Sequence, residues 1–266
     1  MSKIVNPQLG VKASLHNHSV YSDGASSLED MVKAAKNSGL QLFGISDHWV
    51  EPPYDGTDYL EWSMHHEKLD EYVENLSALK KQYDDESFQL KIGLEVDFFF
   101  ENIDSVLKRL QQYPIDYLIG SVHYTGVFSV DHDIADWLPL SPQEHDQICK
   151  DYWQKVKGAA ACEAFDFLGH LDLPKKFNLI DYANYFDEAV QVLETAAKHG
   201  IGIELNTSGW FKQCTEQYPS AAILQAAAAK KIPVVISSDA HCAEHITRNF
   251  SEAKTVLQAA GYGFND

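Results

Sequence analysis

Two histidines one residue apart, His16 and His18, stand in the stretch Leu15-His16-Asn17-His18-Ser19-Val20-Tyr21-Ser22-Asp23-Gly24. Alternation along an extended chain turns both imidazoles to one side, and Asp23 adds an oxygen donor close by. Imidazole beside carboxylate is metal-binding chemistry. The pair alone is a thin signal, because short histidine pairs also decorate surfaces. It gains weight from the rest of the chain, where apolar runs end in turn at His48, Glu95, His123, His170, Asn206, Asp239 and His241. Six of the 12 histidines fall at such ends, and that clustering points to a polynuclear metal site. His65 and His66 read as solvated helix residues, and His132, His145, His199 and His245 as surface residues. Asp47 and Asp172, each next to a ligand candidate, read as partners that orient an imidazole. Nothing in the chain has the pattern of a Ser-His-Asp triad or a phosphate-cradling glycine loop.

The elements that must position these residues follow from hydrophobic period and punctuation. Short apolar runs at 12–16, 41–46, 88–94, 115–122, 165–169, 201–205 and 232–238 read as strands, each ending at a candidate residue. Helical spacing fills the intervals. Ser26 with Glu29 fits a capping box opening a helix that stops at Gly39, and Ser141-Pro142-Gln143-Glu144 opens another that runs to about Ala161. Further helices are expected over about 64–83, 103–112, 185–199, 221–231 and 250–260. Residues 49–59 and 125–140 read as long loops. About seven strand–helix units in succession predict a parallel α/β barrel, whose active site forms at the carboxyl ends of the strands. No linker, repeat or low-complexity tract interrupts them, so 1–266 reads as a single domain.

Composition bounds the function. Hydrophobic residues make up 45% of the 266 positions, enough for one large core. No apolar run approaches the length of a membrane span, and Met1-Ser2-Lys3-Ile4-Val5-Asn6-Pro7 lacks a leader's apolar core. Cys149, Cys162, Cys214 and Cys242 are scattered without a Cys-x-x-Cys pair, which fits reduced thiols and a cytoplasmic protein. Acids outnumber bases 39 to 21, for a formal charge of -18. That field repels polyanions and argues against nucleic acid as a partner. Oligomeric state is not readable.

The motifs resemble those of the polymerase and histidinol phosphatase (PHP) family. His16-x-His18 with Ser22-Asp23-Gly24, Ser46-Asp47-His48, Gly93-Leu94-Glu95, Ser121-Val122-His123, Gly169-His170-Leu171-Asp172 and Ser238-Asp239-Ala240-His241 occur in the family's order across almost the whole chain. Gly169-His170-Leu171-Asp172-Leu173 and Glu204-Leu205-Asn206-Thr207-Ser208-Gly209 are most similar to the bacterial histidinol-phosphatase branch. The resemblance implies a distorted (β/α)7 TIM-like barrel and three divalent ions. One would lie on His16, His18, Glu95 and Asp239, a second on Asp23, His48 and His241, and a third on His123 and His170 with Glu95 bridging. Mixed imidazole and carboxylate suits zinc, iron or manganese rather than magnesium or calcium.

The implied activity is a step of histidine biosynthesis, hydrolysis of a small phosphorylated substrate, L-histidinol phosphate, by attack of a metal-bound hydroxide. The alternative is a PHP phosphoesterase acting on a nucleotide or a nucleic-acid end. Where family members carry phosphate-clamping arginines, this chain has Lys175, Lys176 and Lys212. With Arg248 and Asn206 these are the expected substrate-binding residues, although lysine lacks the guanidinium fork. Glu51, Asp55 and Asp58, in the loop after His48, read as solvated loop acids, with receipt of the substrate's ammonium group as the alternative.

Overall fold

The computed structural model describes residues 12–263, so the opening stretch Met1 to Pro7 lies outside the described residues. Strands β1 (Ala13–Ser14), β2 (Leu42–Ile45), β3 (His48–Trp49), β4 (Gln89–Asp97) and β5 (Tyr117–Ser121) build the first half of one parallel sheet. Its long member is β4, which pairs β2 along its first half and β3 along its second. A short antiparallel hairpin, β6 (Tyr124–Thr125) and β7 (Phe128–Ser129), follows. The sheet resumes with β8 (Phe167–Leu168), β9 (Gly202–Asn206) and β10 (Val234–Ser237) in the order β1-β2-β4-β5-β8-β9-β10. Its two edges then meet. Asn17 bridges Ala240 in parallel, and His18 N donates to Ala240 O at 2.8 Å. The result is a nearly closed seven-stranded barrel, as the strand–helix alternation predicts.

Helices α1 (Leu28–Asn37), α2 (Leu69–Tyr83), α3 (Ile103–Leu110), the four-residue α4 (Ile134–Trp137), α5 (Pro142–Ala161), α6 (Phe186–His199), α7 (Ala221–Ala229) and α8 (Phe250–Ala260) form the other elements. The Ser141/Glu144 capping box of α5 forms as expected. On α1 the cap is Ser27, whose side chain accepts from Asp30 N, rather than Ser26. Ser26 Oγ instead accepts from Ala243 N, tying the start of α1 to the segment after β10. Helix α2 begins five residues later than its periodicity suggests, because two 3-10 turns precede it. His66 lies in the second turn, its ring on Trp49 (centroids 4.6 Å apart) and its Nε2 3.0 Å from Val50 O. It is therefore a packing residue and not a solvated one.

Two main apolar layers result, with a small third cluster of Val50, Phe99 and Tyr124 beside them. The larger joins helices to strands through residues such as Met31, Leu76, Trp153, Leu193 and Leu257. The smaller, of Ala13, Leu15, Leu42, Tyr117, Ile119, Phe167 and Val235, plugs the barrel interior. Tyr117 spans that interior and its hydroxyl donates to Leu15 O at 2.5 Å. A Cβ on Gly44 or Gly93 would lie 2.2 Å from the Tyr117 side chain, so the plug requires both glycines. Above it the side chains turn polar. No helix among the described residues is long and apolar enough to cross a membrane.

Candidate metal centre

Strand alternation converts this plug into a site. In β5 the column Tyr117, Ile119 and Ser121 leads to His123, and in β4 Gly93 leads to Glu95 and Asp97, every second residue sharing a face. Glu95 is the hub. Its Oε2 lies 3.1 Å from His16 Nε2, 3.6 Å from His18 Nε2 and 2.8 Å from His48 Nδ1. Its Oε1 lies 2.8 Å from His170 Nε2 and 3.7 Å from His123 Nε2. Asp239 brings its Oδ1 to 3.1 Å from His18 Nε2 and 3.7 Å from His16 Nε2. It does so from a left-handed backbone at φ 51°, a conformation that aspartate tolerates better than most residues. Asp23 lies 3.1 Å from His241 Nε2 and 3.6 Å from His48 Nε2. All nine residues expected as ligands therefore meet at one end of the barrel.

The cluster fits metal ions on its own chemistry. His16 Nε2, both nitrogens of His18, His48 Nδ1, Glu95 Oε2 and Asp239 Oδ1 are buried without a hydrogen-bond partner. Orphaned buried donors and acceptors are costly, and so many lone-pair donors converging on one point fit shared cations. Groups of ligand atoms mutually within 4.8 Å include His16, His18 and Glu95; His18, Asp23, His48 and His241; and His48, Glu95 and His123. The grouping differs from the expected one: His18 also joins Asp23, His48 and His241, His170 joins His16 and Asp239, and His123 joins His48 and Glu95. His48 offers Nδ1 to Glu95 and Nε2 toward Asp23, so its ring stands between two positions. Asp23 and His241 are a third or more exposed while His16, His18 and Glu95 are sealed, so the position near Asp23 faces the opening.

Charge coupling within the cluster is strong. Burial and the neighbouring His48 and His241 push His18 down to about 3, leaving it neutral. Burial opposes a charge on His123, yet Asp97 and Glu95 hold it up to about 10. His241 is likewise held up to about 9 against burial, by Asp23 and Asp239. Burial raises Glu95, but His16 and His48 keep it well below the usual carboxylate range.

Two carboxylates missing from the expected set complete the arrangement. Glu204, buried in the middle of β9, accepts from His16 Nδ1 at 2.9 Å and from His170 N at 2.7 Å. Asp97 lies 3.1 Å from His123 Nδ1 and accepts from His123 N at 2.8 Å. Each turns the other ring nitrogen toward the cluster. The signal was present, since Ile203-Glu204-Leu205 puts an acid inside an apolar strand and Asp97 repeats the parity of Glu95. Asp47 and Asp172 act otherwise than expected. Asp47 accepts from Ser19 N and Oγ and from Ser22, holding the loop that carries Asp23 rather than an imidazole. Asp172 accepts from Ser220 N and lies 3.0 Å from Lys175 Nζ.

A cavity of about 260 Å³ opens over the cluster, lined in addition by Trp62, Asp131, His132, Lys176, Ser208, Lys212 and Tyr218. Of the expected substrate contacts, Lys176 and Lys212 reach it. Lys175 does not, because its ammonium is buried among Asp172, Glu216 and Gln217 O. Asn206 is fully buried and its amide donates to Glu204 and Asp239, a support for the cluster. Arg248 stacks on Phe211 at 3.8 Å, outside the cavity lining. The acids of the loop after His48 also turn away, with Glu51 paired to Arg109 and Asp58 accepting from Tyr124. His132 is exposed but stands at the cavity rim.

A parallel barrel with imidazoles and carboxylates converging at its strand ends defines a protein that binds divalent metals there. The chain belongs to the PHP domain family, whose model matches residues 14–208. It is similar to the "Probable histidinol-phosphatase" of Deinococcus radiodurans, 34% identical over 87% of this chain and 86% of that protein. The histidinol-phosphatase of Bacillus subtilis is 26% identical over 80% of this chain and 87% of its own length. Among solved structures, the histidinol phosphate phosphatase of Lactococcus lactis subsp. lactis, complexed with zinc, L-histidinol and phosphate, has the same fold. Its TM-score is 0.78 at 21% identity, covering 95% of this chain and 94% of that one.

Proposed function

We propose that this protein hydrolyses L-histidinol phosphate to L-histidinol and phosphate with three divalent ions, zinc, iron or manganese. The observation that carries the reading is the nine-residue cluster opening onto a cavity that also presents two lysines, in a chain 34% identical over most of its length to a relative of that name. His16, His18, Glu95 and Asp239 would hold one ion, Asp23, His48 and His241 a second, and His123, His170 and Glu95 a third. Bound ions of this kind supply a nucleophilic water at neutral pH and countercharge for phosphoryl oxygens.

The chain's own residues do the rest. Lys176 and Lys212 reach the cavity, where an ammonium can neutralise phosphoryl charge left uncovered by the ions. Trp62 sets an aromatic wall edge-on to His48 and His123, at centroid distances of 4.7 and 5.3 Å, and lines the cavity. The carboxylates of Glu95, Asp23 and Asp239 fix the ions and are not nucleophiles. We read the chain as one domain, and four cysteines without a disulfide among them support a cytoplasmic reading.

The test is metal analysis of the purified protein together with phosphate release from L-histidinol phosphate and from a nucleotide panel. His16→Ala or His18→Ala should abolish turnover and lower metal content. A strong preference for a nucleotide would overturn the substrate assignment, and full activity in either variant would overturn the site.

A further inference from the structure

The cavity wall contains an ion pair that a phosphate-binding site does not need. Lys176 Nζ lies 3.3 Å from Asp131 Oδ2 and also donates to Asp131 O, which pins the ammonium to the segment after β7. Both side chains line the cavity over the metal cluster and both are partly open to it, at 18% and 25% exposure. A carboxylate beside an ammonium that receives phosphate is a penalty for an ordinary phosphate ester, because it repels the incoming dianion. It becomes an attraction if the ester carries a cation next to its phosphate. Burial raises Asp131, but Lys176, His123 and His170 outweigh it and keep the carboxylate ionised.

We infer that Asp131 is the specificity-determining residue that reads an ammonium on the carbon next to the phosphorylated carbon, with Lys176 reading the phosphoryl group beside it. Single bonds of about 1.5 Å keep such an ammonium within about 5 Å of a phosphoryl oxygen, so two reading groups 3.3 Å apart can each make one contact to the same ligand. The ligand class is a 2-aminoalkyl phosphate. Apart from Asp23 and Asp239, which belong to the metal cluster, Asp131 is the one carboxylate among the described residues lining this cavity. Glu51 and Asp58 are engaged elsewhere by Arg109 and Tyr124. The assignment rests on the cluster being a phosphoryl site, as proposed above.

The test is calorimetric binding of O-phosphoethanolamine and of ethyl phosphate to the metal-loaded protein. These probes share the phosphate and differ in the ammonium. The wild-type protein should bind the amino compound at least about 10-fold more tightly, the scale of one charged hydrogen bond. In Asp131→Asn that ratio should fall to near one, and Asp131→Glu should restore part of it. Because the ratio is taken within one protein, a general weakening of phosphate binding cancels. An unchanged ratio in Asp131→Asn overturns the assignment. Equal affinity of the wild type for both compounds overturns the ammonium site and leaves the phosphoryl site standing, and binding of neither overturns both.

Discussion

Glu204 shows how one buried side chain sets the behaviour of others. Its carboxylate holds His16 Nδ1 and the backbone N–H of His170 at the same time. His16 therefore has one nitrogen committed and Nε2 aimed at Glu95 and Asp239. Glu204→Gln keeps the shape but loses the charge that makes His16 a strong donor to metal. We expect a 10–100-fold loss in metal affinity or activity, the usual range for such partners. Metal retention against graded chelator measures it, and unchanged retention would show that His16 orients itself.

At the scale of elements, the decisive piece is the turn from His18 to Gly24. It starts at the sealed His18, doubles back through Ser19 and Ser22 on Asp47, and delivers Asp23 to the open side of the cluster. The turn closes so tightly that a Cβ on Gly24 would lie 2.6 Å from His18 O. Gly24→Ala must therefore push Asp23 away from His48 and His241. The expected cost is about 1–3 kcal/mol of stability, as for other overpacked sites, with loss of metal from the exposed position first. Denaturant unfolding and metal stoichiometry check this, and a fully loaded Gly24→Ala protein of wild-type stability would contradict it.

For the whole molecule, metal occupancy and proton occupancy are linked. In the metal-free protein His123 and His241 are held near 10 and 9, above the ordinary 6.5. A histidine raised on folding lends stability that is complete below about 6.5 and is lost as pH rises through the folded value. The chelator-stripped protein should therefore lose thermal stability from about pH 6.5 to 10. Metal needs neutral imidazole, so uptake should release protons and tighten with rising pH. Calorimetry in two buffers of different ionisation heat measures that release. Absence of release would mean that these histidines are not displaced by the ions.

The sequence by itself determined the alternation of strands and helices, the strand-end positions of the nine metal candidates and the capping box at Ser141, because these depend on local period and residue type. It also contained Glu204 and Asp97, although their roles emerge only when the folded sheet sets β9 against His16 and β4 beside the His123 that follows β5. Tertiary structure alone decided which basic groups reach the cavity. Lys175 and Lys176 are neighbours in the chain, yet one is buried on Asp172 and Glu216 while the other meets Asp131 at the cavity wall. A 3-10 turn over Leu173–Phe177 sends adjacent side chains in different directions, and nothing in residue type foretells which will find an acid. Ligand identity is a property of residue type and strand end. The direction of a long charged side chain is a property of what packs around it.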